Sequence, residues 1–174
     1  QLKLPAYKHK EVLQPAKMKS IDRSVDLLLQ QLRDLQGRCL IVADENWVGT
    51  HWAAVLSASQ ADIHLVSNRF DIARDAKAAG LSCSFNDFEF CNLAAHSFES
   101  VLFRVSKERA SSHHIINQSA QLLSAKGQLL LSGEKNDGVK TYVKQACKRF
   151  GDRTNATKNG IHYFASIILH SPGQ

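Results

Sequence analysis

An open, doubly wound α/β sheet, mostly parallel and ending in an antiparallel hairpin, is the fold class that the sequence predicts. Short apolar runs of strand length alternate with stretches of helical period between residues 20 and 170. The run Cys39-Leu40-Ile41-Val42-Ala43 is continuously apolar, as in strands covered on both faces of a parallel sheet, and it is expected in the middle of that sheet. Near the end, Asn159-Gly160 separates two strand-like runs and supplies the positive φ angles of a tight hairpin turn.

Residues 1–19 form a polar, lysine-rich arm, and residues 20–170 are expected to make one domain. Ile21, Val25, Leu28, Leu32 and Leu35 recur at spacings of three and four, with Ser20 placed to cap and Gly37 to terminate, so a helix is predicted over 21–36. The strand 39–43 follows, then a helix over 47–56, a strand over 62–66, a helix over 70–79 closed by Gly80, and a short strand over 81–85. A strand over 100–105 leads to a helix over 108–124 with Ile116, Ala120 and Leu123 on one face. A strand over 127–131 and a helix ending at Phe150 precede the hairpin strands, 153–158 and 161–169.

A chain of 174 residues with 44% hydrophobic and 22% charged residues has an ordinary globular composition, which argues against disorder and against a disulfide-built miniprotein. Its apolar runs are far shorter than the roughly 18 residues that span a bilayer, so no membrane role is expected. Cys39, Cys83, Cys91 and Cys147 show no close pairing; no metal site is predicted, and a reducing cytoplasm suits them. Charge is uneven. Residues 1–38 carry eight Lys/Arg against four Asp/Glu, residues 39–125 six against nine, and residues 126–174 eight against three, within a net charge of +6. Basic ends of this kind suit an anionic partner, although mildly basic domains also occur without one.

Ligands of open α/β sheets bind beyond the carboxyl ends of the strands, so those loops carry the candidate sites. The first, Asp44-Glu45-Asn46-Trp47-Val48-Gly49, offers a single glycine beside a bulky Trp47. A nucleotide loop needs glycines for a tight turn and close backbone approach, so a loop closed by its own tryptophan is expected. Asn68 stands where a carboxylate would grip a ribose. Asp87 follows the third strand, where it would receive an adenine amine or simply form a turn.

Arg104 and Lys107 lie in a basic cluster that would hold phosphate or cap the next helix. Lys140, Lys144 and Lys148 recur every four residues, joined by Lys135 and Arg149, as a solvated face or an RNA-phosphate stripe. His113 and His114 lack partners at ligand spacing and read as surface histidines; no catalytic residue is identified.

Three stretches resemble a known family: Leu40-Ile41-Val42-Ala43-Asp44-Glu45-Asn46-Trp47-Val48-Gly49, Ser100-Val101-Leu102-Phe103-Arg104-Val105-Ser106-Lys107 and Gly133-Glu134-Lys135-Asn136-Asp137-Gly138-Val139-Lys140. With the opening Leu27-Leu28-Leu29-Gln30-Gln31-Leu32, they are similar to the N-terminal domain of the two-domain ribosomal RNA guanine-N2 methyltransferases over roughly 20–169. The resemblance implies a Rossmann-like methyltransferase fold that has lost its cofactor site and belongs to a longer protein. A C-terminal domain would then bind S-adenosylmethionine and carry an Asn-Pro-Pro-aromatic motif. The only prolines here are Pro5, Pro15 and Pro172, so that motif is absent, and Ser106 replaces the proline that the family often places before its lysine.

The resemblance therefore implies a cytoplasmic domain that takes no cofactor itself, assists ribosomal RNA binding and partners a catalytic domain. Two readings compete with it: a self-sufficient S-adenosylmethionine-dependent methyltransferase or other nucleotide-binding enzyme, and a pure protein-interaction module.

Overall fold

The computed structural model describes residues 21–170; the arm 1–19 and the Ser20 cap lie outside them. Helix α1 (Arg23–Gln31) is capped by Asp22, whose Oδ1 accepts the Val25 amide hydrogen at 3.0 Å, and it tightens into a 3-10 turn at Leu32–Asp34 instead of continuing to residue 36. The chain then runs β1 (Arg38–Ala43), α2 (Trp52–Ala58), β2 (Asp62–Ser67), α3 (Phe70–Ala78), β3 (Ser82–Phe85) and β4 (Phe98–Arg104). It continues through α4 (Arg109–Leu122), β5 (Leu123–Glu134), α5 (Val139–Phe150), β6 (Thr157–Asn159) and β7 (His162–Ile168).

The seven strands lie in the order β3-β2-β1-β4-β5-β7-β6. β1 pairs in parallel with both β2 and β4, which places it inside the sheet as expected; only β7 runs antiparallel to its neighbours β5 and β6. Alternation along β1 serves two cores. Leu40 and Val42 face the layer that holds α4 and α5, while Cys39, Ile41 and Ala43 face α1, α2 and α3. Both sides of the strand are dry, which explains its uninterrupted apolar sequence.

Three further element boundaries differ from the sequence-based expectation, and one connection for which the sequence predicts no element lacks one. The helix predicted over 47–56 is broken: Glu45–Trp47 form a 3-10 turn, Gly49 adopts φ +92°, and helix α2 begins only at Trp52. Helix α4 stops at Leu122 and β5 begins at the next residue, because Leu123 pairs with Phe98. The connection from β3 to β4 is non-helical and plugged by the buried Phe88 and Phe90. In the hairpin, strand β6 is three residues long. Asn159 pairs with His162, so the turn centres on Gly160-Ile161, with glycine (φ +66°) at its first position as a type II′ turn requires.

Candidate functional site

The loop that leaves β1 folds back on its own side chains, and beside it, against Asp71 and Asp75 of α3, opens a cavity of about 280 Å³. Asp44 is 5% exposed and holds the Asn46 amide at 3.0 Å; burial pushes its carboxyl up to about 6. Trp47 is fully buried, stacked on Trp52 with ring centroids 6.1 Å apart, and its indole Nε1 has no partner among the described residues. The Thr50 hydroxyl donates to the Trp47 carbonyl, which folds the loop back on itself. At the end of β2 the Ser67 hydroxyl donates to the Ala43 carbonyl at 2.7 Å, stitching the two strand ends together.

Asn68 and Asp87 are both exposed, and the turn at Asp87 is shaped by Asn86, whose Oδ1 accepts the Glu89 amide hydrogen. A nucleoside cofactor needs a glycine turn after β1 and a hydroxyl-binding carboxylate at the end of β2. The β1 loop has a single glycine and a buried indole, and Ser67-Asn68 rather than a carboxylate ends β2. Although the cavity of about 280 Å³ opens beside the loop at Gly49, Thr50 and Asp71, these residues lack the glycine turn and the hydroxyl-binding carboxylate that S-adenosylmethionine would use and so do not fit it.

Arg104 is not available to RNA, contrary to the sequence reading. It is 3% exposed at the end of β4, with Nη1 donating to Asp137 at 2.6 Å and to the Val105 carbonyl, and with Nε and Nη2 donating to Asp22 at 3.2 and 3.1 Å. Glu134 lies 3.5 Å away. Although burial alone disfavours the charge, these acidic partners hold its pKa above the ordinary arginine value. The carboxylates around Arg104 were not recognised in the sequence, since two of them lie 82 and 33 residues away. The available signal was a cation inside the apolar run Val101-Leu102-Phe103-Arg104-Val105, because a buried arginine demands carboxylates.

The remaining basic residues divide between two sides of α5. Val139, Tyr142, Val143, Ala146, Cys147 and Phe150 are its buried face, while Lys140, Lys144 and Lys148 are exposed. Lys140 lies toward β7, its Nζ 5.6 Å from the Tyr163 ring centroid. Each step of four residues turns the helix by roughly 40°, so the stripe drifts outward from there to Lys148. Lys158 on β6 pairs with Tyr163, which directs it to the same face of the sheet as Lys140, a neighbour that the four-residue spacing within α5 does not reveal.

Lys135 is exposed in the 3-10 turn before α5, where its amide holds the Ile161 carbonyl at 2.9 Å, and Arg149 is exposed in the last turn of the helix. Lys107 stands apart from the stripe, at a cleft of about 310 Å³ between α4 and α5. His113 is half-buried against Tyr142, and His114 is exposed with Nε2 donating to the Phe88 carbonyl. No group of three or more His, Cys, Asp or Glu among the described residues has a metal-binding arrangement, and no described helix is long and apolar enough to cross a membrane.

Comparison with known proteins agrees with this architecture. The structure is similar to the T. Thermophilus 16S rRNA N2 G1207 methyltransferase RsmC, solved with AdoMet and guanosine, at a TM-score of 0.72 and 20% identity. That match covers 88% of this chain but 40% of the other, so the chain spans less than half of that enzyme's length. A protein of Pyrococcus horikoshii OT3 matches at a TM-score of 0.64 and 12% identity, over 84% of this chain and 88% of that one. The Methanococcus jannaschii fibrillarin pre-rRNA processing protein matches at 0.56 and 11%, over 80% and 68% of the two chains. No curated protein matches the sequence. Residues 25–162 match the family described as the methyltransferase small domain N-terminal, and the chain therefore belongs to that family.

Proposed function

We propose that this chain is the non-catalytic N-terminal domain of an S-adenosylmethionine-dependent ribosomal RNA guanine-N2 methyltransferase. It assists RNA binding and domain organisation, while a C-terminal catalytic domain binds the cofactor and transfers the methyl group. The observation that carries this reading is the β1 loop itself, in which a fully buried Trp47 and a single glycine stand where close approach of a nucleotide requires a glycine-rich turn. The family match and the rRNA methyltransferase RsmC among similar structures support the choice of substrate class. On this reading RNA meets the lysine stripe of α5, and the domain works in the cytoplasm.

Isothermal titration of the chain with S-adenosylmethionine, run beside filter binding to a ribosomal RNA fragment, tests the assignment. The expected result is RNA binding without measurable cofactor binding. Micromolar cofactor affinity would replace this reading with that of a self-sufficient methyltransferase, and a folded chain with no RNA affinity would indicate a protein-interaction module.

A further inference from the structure

The cleft between α4 and α5 lies on the side of α5 away from Tyr163, and the lysine stripe does not account for it. Its wall includes Lys107, Arg109, His113, Asn136, Tyr142 and Gln145. Lys107 and Arg109 are exposed and make no ion pair among the described residues. The only carboxylate in the wall, Asp137, is turned inward to Arg104 and to the Glu134 amide. The cleft's free charge is therefore cationic. The half-buried ring of His113 lies in the same wall, held in place by a T-shaped contact with the buried Tyr142, centroids 5.4 Å apart. The side-chain amides of Asn136 and Gln145 have both donors and acceptors, as the edge of a nucleobase does.

From this juxtaposition we infer that the cleft binds one unpaired nucleotide, with its phosphate on Lys107 and Arg109, its base against His113, which the buried Tyr142 backs, and its polar edge on Asn136 and Gln145. The inference deepens the RNA-binding reading proposed above and rests on it for the source of the nucleotide. Size agrees: about 310 Å³ is at the small end of ligand pockets, enough for a single nucleotide and too little for a duplex. Cations supply affinity and the His113 ring supplies stacking, the combination that proteins use for single-stranded nucleic acid.

Isothermal titration with the four nucleoside 5′-monophosphates, with inorganic phosphate and with the parent nucleosides tests the inference. Saturable binding is expected for at least one monophosphate, tighter than for phosphate or its nucleoside. Lys107→Glu and Arg109→Glu should each weaken it by about tenfold or more, the loss of one charge-assisted contact. His113→Ala should weaken the nucleotide while leaving phosphate unchanged. The Lys140/Lys144/Lys148→Glu triple variant should leave mononucleotide binding intact.

Absence of saturable binding, equal affinity for phosphate and nucleotide, or indifference to the Lys107 and Arg109 substitutions would overturn the cleft assignment. Filter binding to the ribosomal RNA fragment separates the two proposals. RNA binding without mononucleotide binding defeats the cleft alone; mononucleotide binding without RNA binding defeats the RNA-binding role and leaves the cleft as a site for free nucleotides.

Discussion

Arg104 and Asp137 meet at 2.6 Å where β4 and β5 end, and Asp137 also accepts the Glu134 amide hydrogen at 3.1 Å. The pair thus fixes the turn that launches α5, and with Asp22 it fixes the start of α1 as well. Removing the guanidinium would leave the carboxylate of Asp137, 8% exposed, without its counter-charge. Arg104→Ala is expected to cost about 3 to 5 kcal/mol, as broken buried ion pairs do. Urea unfolding of parent and variant measures this, and a loss below about 1 kcal/mol, the scale of an exposed pair, would contradict a structural role.

Asp44 gives the domain a pH signature. Its carboxyl lies near 6 in the folded chain against an ordinary value of 3.8, chiefly through burial. A raised carboxyl pKa means that the folded state holds the proton more tightly. This contribution is fully present below pH 3.8 and disappears as the pH rises through 6. Asp44→Asn should therefore match the parent near pH 4 and exceed it in stability above pH 6, by on the order of 2 kcal/mol. Thermal melts across that range check the sign, and equal stability of the two proteins above pH 6 would refute it.

Gly133 is required by packing. A Cβ there would lie 2.5 Å from Val105 Cγ2 and 3.2 Å from Val139 Cβ, in the seam where β4, β5 and α5 meet. Gly133→Ala should cost about 1 to 3 kcal/mol, the usual range for overpacking. Gly160→Ala provides a contrast: no atom lies within 4 Å of its added Cβ, and only the positive φ of +66° opposes it. Denaturant midpoints of the two variants compare a steric cost with a conformational one.

The lysine stripe predicts salt dependence. Lys140, Lys144 and Lys148 are exposed, so reversing all three leaves the apolar face of α5 untouched and the circular dichroism spectrum unchanged. Each phosphate contact releases condensed counterions, so losing three should flatten the slope of log affinity against log salt by roughly 2 to 3. Filter binding to a ribosomal RNA fragment over a salt series measures it; equal slopes would make the lysines a solvated face.

The fold class and the central place of β1 were legible because burial on both faces leaves a continuous apolar mark. The junction of α4 with β5 was not legible. Ile116, Ala120 and Leu123 share a helical spacing, yet Leu123 takes its place in the core by pairing with Phe98 as a strand residue. At the candidate site, the closed β1 loop followed from the bulk of Trp47 and the lack of glycines. Arg104 did not follow, because position after a strand says nothing about carboxylates supplied by distant segments.

Helix α1 is tied to the far end of the chain. Ser24 Oγ lies 2.7 Å from His162 Nδ1, and its carbonyl accepts the Ser132 hydroxyl at 2.7 Å. These contacts bridge 138 and 108 residues, so their loop-closure cost falls late and a slow, cooperative folding step is expected. On a translating ribosome α1 emerges early and then waits for β7 before its polar latch can close. The apolar stripe of Val25, Leu28 and Leu32 shares its cluster with Cys39 and Ile41 of β1 but also with Leu102 of β4 and Leu130 of β5, so its cover is incomplete until β5 has been made. That interval is when the nascent chain is most open to aggregation and most in need of a chaperone.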